Sequence, residues 1–391
     1  MNNKIGYQTF LWDVLMCSLG SYGGPEAHYG VFSSVLVEKK KYLTENELTE
    51  LIGLYALVPG PSSTQTITAI GYKVGGAKLA FLTFLVWAMP AILIMALFGV
   101  FFSQVSKNDA WKPIVSYLPA IAVSFIVFAA YKLSFRVVKN RKDLVFYGVM
   151  LLLGLLLVPY SVFVVPLLLV SGGLVRLLPK LKDRTKSEVT LKPRWAILGL
   201  IVFIALINEV LFYEFKEPLV TLFTSFYRYG YSVIGGGQIV IPLMIQDLVQ
   251  TRSLISLSDF LSGYAIDQAV PGPLFSFAAF VSARSFQTSQ FAFLFGIIGG
   301  LSIFLPGILL VYFIFPLWKT LRRTPLMTSF LSGVSLTAAS LILMTAINAT
   351  INLSEHPLEY VVLAIGALLL LTKKIPAPLI VLGAALLGFI I

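Results

Sequence analysis

A tetrapeptide that occurs twice is the feature that most constrains this chain. The sequence Val-Pro-Gly-Pro stands at Val58–Pro61 and again, in the second half of the chain, at Val270–Pro273. The spacing from Val58 to Val270 is the repeat offset. It also places Gly24 opposite Gly236, and it aligns later glycines and prolines in both halves. The chain is therefore predicted to contain two copies of one structural unit, each interrupted by glycine and proline breaks.

The composition places this repeat in a membrane. Of the 391 residues, 58% are hydrophobic and 12% are charged, which leaves too little polar surface to coat a soluble domain. Apolar runs of about 20 residues, the length that crosses a bilayer as a helix, recur from Leu79 to the C-terminus. The net charge of +11 lies in short loops between these runs, where membrane topology explains it, so nucleic-acid binding is not expected. With one cysteine, Cys17, and two histidines, the sequence excludes an intrachain disulfide and predicts no cofactor and no metal centre.

Short helices on either side of the breaks come first in the chain. The pattern predicts helices over Ile5–Leu19 and Glu26–Val37, separated by the first glycine break. Thr44, with a glutamate three residues later, forms a capping box that predicts a third helix ending at Pro59. A fourth arm is predicted from Pro61 to about Lys73. These arms are short for a full crossing, so two re-entrant hairpins and two pairs of spans are both compatible with them. Four ordinary spans follow, at about residues 78–103, 114–133, 143–158 and 160–178.

Loop charges predict the orientation of the spans. Lysines and arginines crowd the loops at residues 132–142 and 176–194, and the positive-inside rule places both loops in the cytoplasm. The span Trp195–Tyr213 has no partner and leads outward to an acidic patch, so the second repeat begins outside. The fold class expected is an all-α polytopic membrane protein with two inverted-topology repeats, each with broken or re-entrant helices, joined by one linking transmembrane helix. The repeats are assigned to residues 1–180 and 217–391, the linker to residues 181–216, the N-terminus to the cytoplasm and the C-terminus to the outside.

The helix starts that follow the breaks form the predicted substrate site. A helix N-terminus carries unpaired N–H donors and about half a positive charge, which suits a tetrahedral oxyanion. Inverted-repeat transporters place broken helices of this kind around their substrate. The alternative is that glycine and proline only kink packed membrane helices. The residues predicted to bind substrate are Gly23, Gly24, Glu26, His28, Ser62, Ser63, Thr64, Gln65, Gly236, Gly237, Gln238 and Ser276.

Acidic residues within apolar sequence are the predicted coupling sites. Asp13, Glu26 and Asp267 lie in such stretches, where a carboxylate is costly and usually functional. Asp267 precedes the second Val-Pro-Gly-Pro break and is favoured as the site of a proton or cation. Glu26 has an alternative role as a partner of its helix dipole, and His28 has one as a packed core residue.

The motifs around the breaks resemble those of a known family. Ser21–Gly30 and Val58–Gln65 are similar to first-half motifs of the chromate ion transporter family. Gly235–Gln238 and Val270–Pro273 are similar to its second-half motifs. The similarity covers the whole chain, in the long two-domain form of the family, with Tyr22 where phenylalanine is common. The resemblance implies a multi-pass protein of the bacterial cytoplasmic (inner) membrane that exports chromate, with sulfate as a structural analogue and a proton gradient or the membrane potential as the driving force.

The expected partners follow from this interpretation. They are chromate or a related oxyanion, the proton as coupling ion and the lipid bilayer, and the sequence is also compatible with a homodimer. The alternatives are an uptake or exchange carrier for sulfate-like anions, a passive anion channel, and a membrane-embedded enzyme that acts on a lipid or polyprenyl phosphate. The enzyme would need a paired acid–base or metal constellation, whereas the acidic residues in the apolar sequence are scattered singly.

Overall fold

The protein is helical throughout the part of the chain that the structure describes. The computed structural model describes residues 6–56, 58–109, 111–160, 164–181, 195–215, 217–233, 240–317, 325–353, 356–372 and 374–390, and it contains no strand within them. Six helical segments in these ranges are long and apolar enough to cross a bilayer: Ser62–Lys107, Lys112–Val137, Arg141–Tyr160, Trp195–Glu214, Ala292–Leu317 and Ser332–Ile351. The predicted all-α polytopic fold class is confirmed.

The helices fall into two series joined by a linking helix. The first series consists of α1 (Tyr7–Leu19), α2 (Pro25–Phe32), a π-helix (Ser33–Lys39), α3 (Glu45–Tyr55), α4 (Ser62–Lys107), α5 (Lys112–Ser116), α6 (Leu118–Val137), α7 (Arg141–Leu157) and α8 (Val164–Leu181). The linking helix is α9 (Trp195–Glu214). The second series consists of α10 (Pro218–Ser232), α11 (Val240–Met244), a second π-helix (Ile245–Thr251), α12 (Leu257–Ala269), α13 (Phe277–Ser285), α14 (Ala292–Ile314), α15 (Pro325–Ile351), α16 (Pro357–Thr372) and α17 (Ala377–Ile390).

The backbone repeats with the same offset as the sequence. The π-helices Ser33–Lys39 and Ile245–Thr251 are separated by the repeat offset. Lys41 and Ser253 have the same separation, and both adopt positive φ, at 54° and 53°. Gly60 and Gly272 do so as well, at 118° and 131°. Positive φ is uncommon for residues other than glycine, and π-helices are rare, so their recurrence shows that one backbone unit is built twice.

The helix before the Pro59–Pro61 break ends earlier than the sequence predicts. The predicted capping box at Thr44 is present, with the side chains of Thr44 and Glu47 each accepting a hydrogen bond from the other's backbone N–H. The helix it begins ends at Tyr55 rather than at Pro59. The arm after the break is predicted to end at about Lys73, and the helical backbone of α4 is interrupted close to that point, at Gly75 and Gly76, before it continues to Lys107.

The chain divides into two compact units that interleave along the sequence. The first unit comprises Met1–Phe102, Leu191–Tyr231 and Asp267–Arg322. The second comprises Ser103–Thr190, Ser232–Ile266 and Arg323–Ile391. Each unit therefore contains segments from both sequence repeats.

In the first unit, α4 and α14 pack closely through small residues. A Cβ built on Gly296 would lie 2.7 Å from the Cβ of Ala96, and one built on Gly300 would lie 3.0 Å from a methyl of Ile92. Gly300 lies one turn after Gly296 along α14, whereas Ile92 lies one turn before Ala96 along α4. The two helices therefore run antiparallel. They are equivalent helices of the two repeats, and this packing is the arrangement that an inverted repeat requires.

The second unit has its core around α15, which packs against α6, α7 and α8. A Cβ on Gly172 of α8 would lie 2.1 Å from Thr337 Oγ1 of α15, so glycine is needed for this close approach. Arg176 forms an ion pair with Asp143, which is buried at the start of α7. The pair fixes α8 against α7 within this unit.

Candidate functional site

The start of α4, directly after the Pro59–Pro61 break, presents unpaired backbone donors. The N–H of Gln65 donates to the carbonyl of Pro61 (2.9 Å), which is the first hydrogen bond of the helix. The N–H groups of Ser62, Ser63 and Thr64 precede it and have no partner within the helix. These three residues are buried, with exposures of 6%, 4% and 0%. Donors that are both unpaired and buried, at the positive end of a helix dipole, suit an anion.

The side chains of the same three residues meet partners from elsewhere in the unit. Tyr29 Oη donates to Ser62 Oγ at 3.1 Å, and Trp87 Nε1 donates to Thr64 Oγ1 at 3.1 Å. His28 Nδ1 lies 3.0 Å from Ser63 Oγ. Tyr29 and His28 belong to α2, which begins immediately after the first glycine break. The turn that follows one break is therefore bonded to the helix that follows another.

His28 lies at the centre of this arrangement. Its ring is fully buried and packs edge-to-face against Trp87, with 5.3 Å between the ring centroids. Its second nitrogen, Nε2, is buried without a hydrogen-bond partner, and the backbone of Gly272 lies close to the ring. A buried imidazole nitrogen without a partner is costly, and it is available to a ligand.

A direct hydrogen bond joins breaks from the two repeats. The N–H of Gly272 donates to the carbonyl of Ser21 at 2.8 Å. Gly23 and Gly24, just after Ser21, have φ values of 79° and 93°, a conformation that favours glycine. Together with the contact between His28 and Ser63, this bond connects three of the four breaks. The fourth break contains the predicted site residues Gly236, Gly237 and Gln238, and it lies outside the described residues.

Gln65 secures the break rather than facing open space. Its Nε2 donates to the carbonyl of Pro59 (2.8 Å) and to the carbonyl of Gly307 in α14 (3.1 Å). Both amide protons are used in this way, and Oε1 is buried without a partner. A Cβ on Gly60 would lie 2.9 Å from the Cα of Gly307, so the break and α14 are in close contact. In this conformation Gln65 has no donor left for a ligand.

Asp267 lies near the end of α12 and reaches the next helical segment. One carboxylate oxygen, Oδ1, accepts a hydrogen bond from Ser276 Oγ at 2.8 Å, and the backbone N–H of Phe277 also donates to the carboxyl group. From the sequence, Asp267 has no helix start to interact with. In the structure its carboxyl group lies against the start of α13. The other oxygen, Oδ2, is buried and has no partner.

The other predicted coupling residues have different surroundings. Asp13 is buried and accepts a hydrogen bond from Tyr42 Oη (2.5 Å), and it pairs with Lys40 Nζ (2.9 Å). Both of its oxygens therefore have partners. Glu26 lies in the first turn of α2, and its side chain is outside the described part of the chain. Within the described residues, no three His, Cys, Asp or Glu side chains converge as they would around a metal ion.

Sequence reasoning missed four polar residues of this region. Two of them, Tyr29 and Trp87, hold the hydroxyl groups of the α4 turn, and no local sequence pattern links them to it. The other two, Thr68 Oγ1 and Tyr55 Oη, are buried without a hydrogen-bond partner. Thr68 could have been found because it lies one turn beyond Thr64 on the same helix face. Tyr55 is the counterpart of Asp267 in the first repeat, so the repeat offset could have revealed it.

Comparison with known proteins gives a consistent result along the whole chain. A family model described as chromate transporter matches residues 8–177 and 220–389, two segments separated by the repeat offset. A chromate transport protein of Cupriavidus metallidurans is 27% identical, over 98% of this chain and 92% of its own length. A probable chromate transport protein of Synechococcus elongatus is 26% identical, over 94% of this chain and 91% of its own. An uncharacterized transporter of Methanocaldococcus jannaschii is 24% identical, over 100% of this chain and 95% of its own. No solved structure matches the chain.

Proposed function

Because the chain belongs to the chromate transporter family, we propose that it is a secondary active transporter that exports chromate across the cytoplasmic membrane. Of the relatives that it matches over nearly their full length, one is named a chromate transport protein and another a probable chromate transport protein. Sulfate has the shape and charge of chromate, so the proposed substrates include sulfate-like oxyanions. The proposed driving force is the proton gradient or the membrane potential.

The observation that carries this proposal is the buried turn at Ser62–Thr64. It offers backbone N–H groups and hydroxyl groups at a helix start, inside a unit where three helix breaks are hydrogen-bonded together. A tetrahedral dianion accepts hydrogen bonds on every side, and neutral donors bind it without the cost of burying a lysine. We assign the anion to this turn, with His28, Gly23 and Gly24 beside it, and Gln65 to holding the turn in place.

We assign coupling to Asp267. Its free oxygen, Oδ2, is a place for a proton, while Oδ1 keeps its hydrogen bond to Ser276 in either protonation state. Asp13 is less suitable because Lys40 and Tyr42 already satisfy its charge. Glu26 remains a proposed coupling residue, and the argument for it is its position at the start of α2.

The orientation proposed is that of the loop charges, with the N-terminus in the cytoplasm and the C-terminus outside. The antiparallel packing of α4 and α14 supports the inversion of the repeats in this proposal, because equivalent helices of inverted repeats cross in opposite directions. A homodimer is compatible with this arrangement. The enzyme alternative loses its support, since the family is one of transporters. Uptake or exchange of sulfate-like anions and a passive anion channel are the remaining alternatives.

The test uses inside-out vesicles, in which export appears as uptake of radiolabelled chromate or sulfate. We expect an imposed proton gradient to drive chromate uptake and sulfate to compete for it. The Ser63→Ala variant loses a donor to a charged ligand, so its apparent affinity should fall roughly five- to hundredfold. The Asp267→Asn variant should keep its affinity and lose the response to the gradient, while Asp109→Asn, at an exposed aspartate, should behave as wild type.

Three outcomes would contradict the proposal. Vesicles that take up neither anion would refute the transport function. Full gradient-driven uptake by Asp267→Asn would remove the coupling role of this residue. Unchanged affinity in Ser63→Ala would mean that the anion rests on backbone N–H groups alone or binds elsewhere.

A further inference from the structure

Trp87 is hydrogen-bonded to the side chain of Thr64, a residue of the proposed anion site. The indole N–H of Trp87 donates to Thr64 Oγ1 at 3.1 Å, and both residues are fully buried. An indole nitrogen is a donor only, so the threonine oxygen must accept this bond. The hydroxyl proton of Thr64 is then left for another acceptor.

Thr64 Oγ1 makes no further hydrogen bond to a described residue. A helical threonine commonly donates its proton to the carbonyl four residues earlier. Thr66 does so to Ser62 (2.8 Å), and Thr83 does so to Leu79 (2.6 Å). The residue four before Thr64 is Gly60, which lies in the break with φ of 118°, and Thr64 makes no bond to its carbonyl. The break therefore removes the usual acceptor from Thr64.

The environment fixes the indole in this role. The Trp87 ring packs edge-to-face against Phe32 as well as His28, with 5.2 Å between the Phe32 and Trp87 ring centroids. Ser18 Oγ donates to the Trp87 carbonyl at 2.8 Å. One turn beyond Thr64, Thr68 Oγ1 is also buried without a partner. Unsatisfied polar groups on one helix face indicate a ligand that satisfies them.

We infer that Trp87 is a positioning residue that orients the Thr64 hydroxyl as a hydrogen-bond donor to the transported oxyanion. The inference rests on the proposed function. By occupying the acceptor side of the hydroxyl, the indole directs its proton to the ligand. Tyr29 acts on Ser62 in the same way, donating to Ser62 Oγ at 3.1 Å. Because the hydroxyl oxygens of Ser62 and Thr64 each accept from a protein donor, their protons are left for the ligand. This arrangement favours a fully deprotonated oxyanion over a protonated one, which would bring a donor of its own.

The test is a double-mutant cycle on purified protein, with chromate and sulfate affinities measured by isothermal titration. Trp87→Phe keeps an aromatic ring without the N–H, and Thr64→Val keeps the shape without the hydroxyl. We expect each single variant to bind about tenfold more weakly, as for the loss of one hydrogen bond to a charged group. The double variant should bind no more weakly than Thr64→Val, because the indole acts only through the hydroxyl.

A conservative variant separates positioning from simple packing. Thr64→Ser keeps the hydroxyl and should keep most of the affinity, and adding Trp87→Phe to it should restore the tenfold loss. Thermal stability, measured on every variant, monitors folding. Should Trp87→Phe fail to fold, benzothienylalanine at position 87 keeps the bicyclic shape without the N–H and makes the same test.

The outcomes distinguish this inference from the function on which it rests. Wild-type protein that binds neither anion would overturn both. Losses that add in the double variant, or wild-type affinity in Trp87→Phe, would overturn the positioning role alone. An equal loss in Thr64→Ser and Thr64→Val would also overturn it, because the hydroxyl would then contribute nothing.

Discussion

A methyl group added at Gly272 tests how tightly the breaks are packed together. In Gly272→Ala, the new Cβ would lie 2.5 Å from the Cβ of Ala91, well inside van der Waals contact. The backbone there has φ of 131°, which residues with a side chain rarely adopt. The variant therefore combines a steric clash with backbone strain.

The two contributions can be given magnitudes and separated. Strained backbone of this kind costs about 1–3 kcal/mol, and overpacking a well-packed core costs about another 1–3 kcal/mol. Gly76→Ala carries the strain alone, since φ is 75° and no atom lies within 4 Å of the added Cβ. Gly148→Ala, in the middle of α7 with open space around it, carries neither and should be neutral or stabilising by about 0.5–1 kcal/mol.

The double variant Gly272→Ala with Ala91→Gly relieves the clash and leaves the strain. We expect it to recover about 1–3 kcal/mol relative to the sum of the two single variants. Unfolding in detergent can be followed with a thiol-reactive fluorophore, because Cys17 is the one cysteine of the chain and is buried. A Gly272→Ala variant as stable as Gly76→Ala, or a double variant with no recovery, would refute the close packing of the break against α4.

Two further predictions concern the ends of the hairpin arms and the topology. Glu47 pairs with Lys73 at 2.7 Å, and this hydrogen bond holds the pKa of Glu47 below its ordinary value of 4.5. A carboxyl group whose pKa is lowered in the folded state stabilises the fold at a pH above its ordinary pKa. This stabilisation is lost as the pH falls through the pKa of the folded state. We therefore expect Glu47→Gln to be less stable than wild type by under about 1 kcal/mol at pH 7. In unfolding measurements well below pH 4.5 the difference in stability should vanish. A difference that stays constant with pH would contradict this prediction. Accessibility labelling should place a tag in the 180–194 loop inside and a tag at the C-terminus outside, and finding both tags on one side would exclude the inverted orientation.

The sequence by itself determined the features that depend on neighbours along the chain. The apolar runs require membrane helices because their length matches a bilayer, and the capping box at Thr44 marks a helix start through contacts three residues apart. The positive φ angles of Gly60 and Gly272 recur because the same Val-Pro-Gly-Pro sequence favours the same backbone, and the π-helices recur at the same offset. Helix ends were less predictable, since α3 stops at Tyr55 rather than at Pro59.

The tertiary structure alone decided what each polar residue does. Gln65 was an evident donor for an anion, yet its amide protons bond to Pro59 and to Gly307, the latter 242 residues away. Asp13 and Asp267 look alike in sequence, but one has a lysine and a tyrosine as partners while the other keeps a free buried oxygen. Hydrogen bonds depend on distances of about 3 Å between atoms. Such distances between residues far apart in sequence are set only when helices pack, so no pattern along the chain records them.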